Sequence, residues 1–321
     1  MTHVPKPSHA HAPEAKDAAQ PVTPEDTAPT FWLCLTHDVD RPYKRYQSLY
    51  YALKNRDPYH LKTLVPGHNP YWQFETIMEL EAALGVRSAF YFLNEKRLFG
   101  DKHPREWLRP KSWQLYAGRY AITDPAIVDV IHRLDDGGWE VGIHGSYDSP
   151  TDLARLTYEK ETLEAILGHE ITGGRQHYLN LDVPTTWEYH AALGLKYDAS
   201  LGSSSEYGFQ HGYDIVRPFD DDFVVFPLTF MENAIPDPGV DFEYAWSECK
   251  AVLDEAAANN AVMTILWHPM KFAARDFPGQ GELYKRIIEY AQELGAWIGP
   301  PRDLYEQLEN SPDATTRVTS P

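Results

Sequence analysis

Residues 31–42 of the chain read FWLCLTHDVDRP, an apolar run that ends in a histidine and two aspartates. The apolar part predicts a buried strand, which we place at Phe31–Thr36. In parallel barrels and open α/β sheets the active site lies at the carboxyl ends of the strands. The acidic end of this first strand is therefore a candidate for a functional site.

Short apolar runs alternate with segments of helical period along the rest of the chain. Further strands are predicted at Ser88–Leu93, Trp139–Ile143, Gly174–Tyr178, Lys196–Ala199, Phe223–Leu228, Val262–Trp267 and, in short form, Trp297–Ile298. Helices are predicted at Trp72–Leu84, Pro125–Leu134, Thr151–Leu167, Thr186–Leu193, Glu243–Ala258 and Leu283–Leu294. This alternation predicts an α/β fold with a parallel sheet, and seven or eight strands suit a barrel.

Length and composition indicate one large folded domain. The chain has 321 residues, of which 43% are hydrophobic and 24% charged. Residues 1–29 are rich in Ala, Pro, Thr and charged residues and predict a disordered tail, as do residues 311–321. The folded domain is accordingly expected at residues 30–310.

The overall charge and the cysteine count exclude several classes of protein. A formal net charge of -18 predicts repulsion from nucleic acid and from anionic membranes. The sequence has no apolar stretch that predicts a membrane span and no secretory pattern at its start, so a cytoplasmic location is expected. The two cysteines, Cys34 and Cys249, predict buried core residues rather than a disulfide framework or a thiolate metal site.

Ionisable side chains close or follow five of the predicted strands. They are Asp38 with Asp40, His144, Arg175 with His177, Asp198, and His268. A single histidine at the end of a strand is more often a hydrogen-bonded structural residue than a ligand. Five strands that deliver such groups to one edge of a sheet favour a catalytic or metal site.

The chemistry of these residue types suits zinc or a similar divalent metal ion. Asp38 and Asp40 are two residues apart, so in an extended segment they point the same way and repel each other unless a cation lies nearby. A metal at Asp40 would remove that repulsion and leave Asp38 as a general base. The alternative is that Asp40-Arg41-Pro42 only begins a loop.

Asp148 has two interpretations from spacing alone. It lies four residues after His144, so one helical turn would bring both side chains to the same side. It also directly precedes a predicted helix, where an aspartate commonly caps the first turn. Both interpretations stay open at this point.

These residues resemble the motifs of the NodB-homology polysaccharide deacetylases, also called carbohydrate esterase family 4. The resemblance covers about residues 31–308 and comprises five short motifs in order. They are Thr36–Asp40 (THDVD), His144–Asp148 (HGSYD), Arg175–Tyr178 (RQHY), Asp198 in YDASL, and His268 in LWHP. The resemblance implies a distorted (β/α)7–8 barrel of the NodB type.

The resemblance also implies a role for each residue. Asp38 would be the base, Asp40 and His144 would bind the metal, and Arg175 would orient Asp38. The backbone N–H of Tyr178 would hold the oxyanion, and Asp198 would pair with His268, which protonates the leaving amine. The second motif departs from the family's usual form, because Asp148 stands where a second histidine is expected. The third metal ligand is then either Asp148 or His177.

By this resemblance the expected activity is metal-dependent removal of N-acetyl groups from an amino-sugar-containing glycan. One alternative is an amidohydrolase of the same barrel that acts on a small non-sugar amide. Another is a glycan-binding relative without turnover. Residues 41–70 and 95–123 are long connections after the first two strands, and such connections often carry function. Within them, residues 41–70 and 107–120 are rich in aromatic and basic or polar residues, which suits either sugar binding or core packing.

Overall fold

The structure, a computed structural model, describes residues 28–44, 46–65 and 67–310. The predicted tails, residues 1–29 and 311–321, lie outside the described residues apart from Ala28 and Pro29. Within the described part of the chain, Cys34 and Cys249 are both free and buried, as predicted.

The strands form one parallel sheet. They are β1 (Trp32–Val39), β2 (Ala89–Leu93), β3 (Glu140–Gly145), β4 (Gly173–Gln176), β5 (Tyr197–Asp198), β6 (Val224–Val225), β7 (Leu228–Met231), β8 (Val262–Leu266) and β9 (Trp297–Gly299). Their order in the sheet is β6-β5-β4-β3-β2-β1-β8-β7, and β9 pairs with β1. Each of these pairings is parallel. The predicted parallel α/β barrel is thus confirmed, in the form of a curled half-barrel.

The two edges of the sheet are joined by the chain itself. Strands β6 and β7 lie at opposite ends of the strand order, yet only Phe226 and Pro227 separate them. Three Cα–Cα steps span at most about 11 Å, so the sheet must curl until its edges meet. The single strand predicted at Phe223–Leu228 is therefore wrong. Pro227 has no backbone N–H, which is one reason why a strand does not continue through it.

Helices cover the outside of the sheet and fill its long connections. They are α1 (Tyr46–Asn55), α2 (Tyr59–Lys62), α3 (Phe74–Ala83), α4 (Pro110–Tyr116), α5 (Pro125–Asp136), α6 (Leu153–Leu167), α7 (Thr185–Ala192), α8 (Phe242–Asn259), α9 (Gln280–Glu293) and α10 (Pro301–Asn310). All six predicted helices are present, within a few residues at their ends. None of the described helices is both long and apolar enough to cross a lipid bilayer.

Helix α5 shows how the sequence builds this outer layer. Asp124 caps the helix by accepting a hydrogen bond from the N–H of Ala126, and Pro125 occupies the first turn, where its missing N–H costs nothing. Its buried residues, Ile127, Val130, Ile131 and Leu134, recur at helical spacing and join the main hydrophobic core. One apolar face therefore attaches the helix to the sheet.

Strand β1 is longer than predicted and continues to Val39. His37 and Asp38 thus lie inside the strand, where successive side chains point to opposite faces. Strands β3 and β4 pair so that His144 lies opposite Arg175. A Cβ atom at Gly174 would overlap the carbonyl oxygen of Ile143, so this close pairing requires glycine. Two site residues from different strands are brought side by side in this way.

Candidate active site

The carboxyl ends of the strands surround a cleft of about 360 Å³. Its polar lining comes mainly from the predicted residues, and its apolar lining comes from β7, β8 and the turn after β4. The lining residues are Asp38, Asp40, His144, His177, Tyr178, Leu179, Ser204, Met231, Asn233, Leu266 and His268. Ionisable groups that are far apart in the sequence therefore meet at one place, as the rule on strand ends predicts.

Asp38 is held by a buried arginine. Its Oδ1 accepts a hydrogen bond of 2.9 Å from Nη1 of Arg175, which also donates to Oγ1 of Thr36. Burial opposes ionisation of Asp38, but the guanidinium of Arg175 and the imidazole of His144 lower its pKa below the usual value. Asp38 is thus an ionised carboxylate at the floor of the cleft, with Oδ2 3.6 Å from Nε2 of His144.

Asp40 and His144 face each other with unshared electron pairs. Nδ1 of His144 lies 2.8 Å from the carbonyl oxygen of Arg175, which can only accept, so Nδ1 carries the proton of the neutral ring. Nε2 then points its lone pair at Oδ1 of Asp40, 3.1 Å away, and this buried oxygen has no hydrogen-bond partner. Burial disfavours the charged imidazole, yet Asp38 and Asp40 raise the pKa of His144. A positive charge between these atoms would stabilise both.

His177 completes the group from the turn after β4. Its Nε2 lies 3.4 Å from Oδ2 of Asp40 and accepts a hydrogen bond of 3.1 Å from Nη2 of Arg119. Because arginine only donates, Nε2 is the unprotonated nitrogen, and its single lone pair accepts from Arg119. Nδ1 lies 3.6 Å from Oε2 of Glu95, and a carboxylate on the far nitrogen is the usual support of a metal-bound histidine. A metal at Nε2 would have to displace Arg119.

The donor set fits a divalent metal ion. Ligand atoms of Asp40, His144 and His177 lie within 4.8 Å of one another. Two ligands at zinc distances in tetrahedral geometry are roughly 3.3 Å apart, close to the 3.1 and 3.4 Å that separate the oxygens of Asp40 from the two histidines. The orphaned Oδ1 of Asp40 is the observation that most favours a cation here.

His268 faces this group from the end of β8. Its Nε2 lies 3.8 Å from Oδ2 of Asp40, and its Nδ1 lies 2.8 Å from Oε1 of Glu232. Burial opposes the charged ring, but Glu232 and then Asp40 and Asp38 raise the pKa of His268 to about 9. These carboxylates therefore favour the protonated form of His268, which lines the same cleft as His144.

Solved structures with the same architecture include proteins described as polysaccharide deacetylases. A candidate polysaccharide deacetylase from Mycobacterium smegmatis superposes with a TM-score of 0.57 at 16% identity, covering 95% of this chain and 99% of that one. A candidate polysaccharide deacetylase from Pseudomonas aeruginosa PAO1 gives 0.53 at 12% identity, covering 88% and 92%. The chain has the polysaccharide deacetylase fold. The resemblance inferred from the five motifs is confirmed at this level.

The Puue allantoinase shares this deacetylase fold. It superposes with a TM-score of 0.55 at 14% identity, covering 94% of this chain and 96% of that one. No family model and no curated protein matches the sequence. The fold is therefore established by structure, and the chemistry has to be argued from the residues in the cleft.

Asp148 does not join the other candidate ligands in this deacetylase fold. Its Oδ2 accepts a hydrogen bond of 2.8 Å from Nζ of Lys102, and both carboxylate oxygens lie 3.2 Å from the hydroxyl of Tyr116. It does not cap α6 either, because Asp152 accepts from the N–H of Arg155 there. Neither interpretation from spacing holds. His177 is the residue that the structure brings to Asp40 and His144.

The Asp198–His268 pair implied by the resemblance is also corrected. The carboxylate of Asp198 accepts from the N–H and hydroxyl of Ser200 and from Nε1 of Trp187, and the residue is completely buried. It holds the turn after β5, where the carbonyl of Ala199 accepts from Nε of Arg175. Glu232, which directly follows β7, contacts Nδ1 of His268 instead. The reason is the strand order, in which β7 is adjacent to β8 and β5 is not.

Tyr178 lies at the rim of the cleft in a strained turn. Tyr178 and Leu179 have φ of 61° and 53°, a left-handed conformation that costs energy for residues other than glycine. The predicted strand Gly174–Tyr178 accordingly stops at Gln176. Both residues line the cleft, so the strained backbone lies next to the position that a substrate would occupy.

Sequence reasoning missed three residues at the site: Glu95, Arg119 and Glu232. Glu95 and Glu232 follow β2 and β7 closely, so the rule that marked the histidines and aspartates would have found them had it been applied to glutamate. Arg119 lies in a long connection, and no local signal places it on His177.

Proposed function

We propose that this protein is a metal-dependent hydrolase that removes the acetyl group from N-acetylated amino sugars of a glycan. The observation that supports this most is the group of Asp40, His144 and His177 beside an arginine-held carboxylate, in a fold shared with proteins described as polysaccharide deacetylases. The polar residues at the carboxyl ends of β1, β3, β4 and β8 would then serve one reaction.

Asp40, His144 and His177 would hold the metal, with zinc as the ion that best suits one carboxylate and two imidazoles. Three protein ligands leave a position open, as in catalytic zinc sites. When bound, the ion supplies Lewis-acid polarisation of the acetyl carbonyl and lowers the pKa of water. Glu95, with Oε2 3.6 Å from Nδ1 of His177, would support the ring from the side away from the metal.

Asp38 takes the proton of the attacking water in this proposal. It is ionised because Arg175 donates to Oδ1, which leaves Oδ2, the oxygen nearer His144, as the accepting atom. The buried guanidinium also fixes the carboxylate in place. Asp38 is thus both ionised and oriented before substrate arrives.

His268 donates a proton from Nε2 to the departing nitrogen. Glu232 accepts from Nδ1 at 2.8 Å, which keeps the ring protonated and turns Nε2 toward the cleft. The backbone N–H of Tyr178, fixed by the strained turn, would donate to the oxyanion. Met231, Leu179 and Leu266 would contact the acetyl methyl group.

A second candidate is hydrolysis of a small non-sugar amide. The observation that favours this function is the fold of the Puue allantoinase, which superposes on this chain about as well as the fold of the candidate deacetylase from Mycobacterium smegmatis does. Release of acetate from N-acetylglucosamine oligomers supports the first function. Turnover of a small cyclic or linear amide, with no acetate from oligomers, supports the second.

The test is metal content and acetate release for the wild type, Asp40→Ala and Asp148→Ala. The two variants each remove an aspartate, but only Asp40 lies against both histidines. We expect about one metal per chain in the wild type and in Asp148→Ala, and loss of metal together with an acetate release at least about 100-fold lower in Asp40→Ala.

The opposite results are equally informative. Metal loss in Asp148→Ala with metal retained in Asp40→Ala would contradict the ligand set. A wild type that binds glycan tightly, takes up no divalent ion and releases no acetate would contradict catalysis and favour a binding protein.

A further inference from the structure

The two long segments after β1 and β2, residues 41–70 and 95–123, leave the sheet at the edge where the cleft opens. β1 and β2 are adjacent strands, so both segments start on the carboxyl edge of the sheet. They contact each other where Nη2 of Arg41 donates to the carbonyl of Gln114 at 2.6 Å. Arg41 also lines, together with Asp38 and His268, a small cavity next to the cleft. A surface on these segments is therefore a surface at the mouth of the active site.

The helices α1 and α2 are packed with their polar side chains inside. The hydroxyl groups of Ser48 and Thr63 lie 2.7 Å apart, Nζ of Lys44 lies 2.9 Å from Nδ1 of His60, and these four residues are buried. The large apolar side chains point outward instead: Leu49, Tyr50, Leu53, Leu61, Leu64 and Val65 are exposed, with Leu53 81% accessible. In a helix pair that faces only water the arrangement would be the reverse.

The second segment also exposes apolar side chains. The ring of Phe99 packs edge-on against Trp107 and Trp113 at 5.3 and 5.4 Å, and all three rings are exposed. Leu108, beside them, is 87% accessible. Ten of the sixteen exposed large apolar side chains of the described residues lie in these two segments. The exposed apolar side chains of the described residues are thus concentrated in the two segments that follow β1 and β2.

The same segments hold much of the positive charge of an acidic protein. They contain 13 of the chain's 29 Lys and Arg but only 4 of its 47 Asp and Glu. The rest of the chain is left with 16 basic and 43 acidic residues. Lys54, Arg56, Lys62, Arg105 and Lys111 are among the exposed basic residues of these segments. The repulsion from anionic membranes that the net charge predicts applies to the rest of the molecule and not to this face.

We propose that these two segments are a membrane-docking surface that lays the cleft mouth against an anionic lipid bilayer. Exposed Leu, Trp and Tyr beside Lys and Arg is the combination that inserts shallowly at a lipid interface and binds acidic headgroups. A soluble anionic glycan would use the aromatic rings and the basic groups. It would have no use for Leu53, Leu61, Leu64 and Leu108, which offer neither a stacking face nor a hydrogen bond.

Docking in this orientation has a consequence for the substrate. The cleft would open at the lipid surface, so an amide on a membrane-anchored molecule would reach Asp38 and His268 more readily than one in solution. This consequence rests on the proposed function, whereas docking itself does not. Lipid binding is therefore measured separately from activity.

The experiment is cosedimentation of the full chain with vesicles of phosphatidylcholine alone or with phosphatidylglycerol added. We expect binding to the mixed vesicles at low salt, and binding weaker by about tenfold or more on phosphatidylcholine alone and at high salt. Absence of binding to the mixed vesicles overturns the proposal. Binding to heparin without binding to vesicles also overturns the docking proposal and indicates a site for soluble polyanions.

Matched variants separate this surface from the rest of the protein. Leu53→Gln with Leu108→Gln is compared with Val240→Gln, because Val240 is also 85% exposed but lies outside the two segments. Lys54→Gln with Lys62→Gln is compared with Lys285→Gln on α9. Each double variant should lose at least about tenfold in vesicle binding and each control less than about twofold. Equal effects in the variants and the controls overturn the docking surface.

Acetate release from a soluble substrate provides the independent readout. It should be unchanged in all these variants, whose side chains do not line the cleft. Vesicle binding without acetate release in the wild type would count against the proposed function and leave the docking surface standing.

Discussion

Two histidine–carboxylate groups share strand β1, and they differ in how their polar atoms are satisfied. His37 points away from the cleft, with Nδ1 2.6 Å from the carbonyl of Trp267 and Nε2 3.0 Å from Oε1 of Glu81. Glu81 also accepts from Tyr284 at 2.7 Å, and from Ser88 and Trp139 through its other oxygen. Every polar side-chain atom of His37 and Glu81 has a partner, so this group is complete in itself.

The group on the other face is not complete. Oδ1 of Asp40, Nδ1 of His177 and Oε2 of Glu232 are buried without a hydrogen-bond partner. Buried polar atoms without partners are costly and rare in folded proteins, and they need an explanation. For Oδ1 of Asp40, which faces the cleft, the proposed metal ion is the explanation. The same residue types thus serve structure on one face of β1 and, in the proposed function, catalysis on the other.

The largest expected effect is on stability, from Glu81→Ala. The substitution leaves His37, Tyr284, Ser88 and Trp139 without their shared acceptor in the core, so we expect the free energy of unfolding to fall by about 3–5 kcal/mol. Glu79→Ala, an exposed position on the same helix, should change it by less than about 0.5 kcal/mol. Chemical denaturation of the three proteins measures both values.

The two groups would not be independent if the folded fraction of Glu81→Ala also lost its metal. Glu81 touches none of the candidate ligands, so metal content per folded chain should equal that of the wild type. A metal loss as large as that of Asp40→Ala would mean that the two faces of β1 form a single functional unit.

The next effect is on turnover, from Glu232→Gln. Glutamine cannot stabilise the protonated ring of His268, so we expect kcat to fall by about 10² with little change in KM or metal content. Asp198→Asn, the residue that the motifs alone would select, should lower kcat by less than about threefold, because an amide oxygen still accepts from Ser200. The reverse ranking would restore Asp198 as the partner of His268.

The position of the site was predictable from the sequence, but its hydrogen-bond partners were not. The strand-end rule placed Asp38, Asp40, His144, His177 and His268 together, because it depends only on parallel strands ending at one edge. It placed Asp198 at the same edge as well. Which strand lies beside which depends on the strand order, and that order puts β7 rather than β5 next to β8.

The long connections were the least predictable part. Lys102 and Tyr116 hold Asp148 away from the candidate metal ligands, and Arg119 reaches His177. All three come from residues 95–123. Helices α1, α2 and α4 were missed there and in residues 41–70 because their exposed leucines and aromatic residues do not form the buried stripe by which a helix is predicted. Tertiary contacts, and not local pattern, decide these regions.

The smallest effect concerns a third buried carboxyl group, Glu140 at the start of β3, which among the described residues has neither a histidine nor a candidate metal site beside it. Glu81 is satisfied by a histidine and three other donors, and Asp40 would be satisfied by a metal. Glu140 accepts only from the hydroxyl of Tyr197 at 2.5 Å and the N–H of Arg302 at 2.9 Å, and burial raises its pKa to about 7. A proton on Glu140 would therefore neutralise this buried carboxyl group, as donors compensate Glu81 and the proposed metal would compensate Asp40.

The consequence is a pH-dependent stability that Glu140→Gln should remove. The native carboxyl binds its proton more tightly than the unfolded one, so its contribution is complete below the unfolded pKa near 4.5 and is lost as the pH rises through about 7. Between pH 5 and 8 the wild type should therefore lose on the order of 2 kcal/mol relative to Glu140→Gln. Urea denaturation at several pH values measures this difference. A difference that stays constant over this range would show that Glu140 is ionised in the folded protein and that a nearby positive charge, and not a proton, compensates its burial.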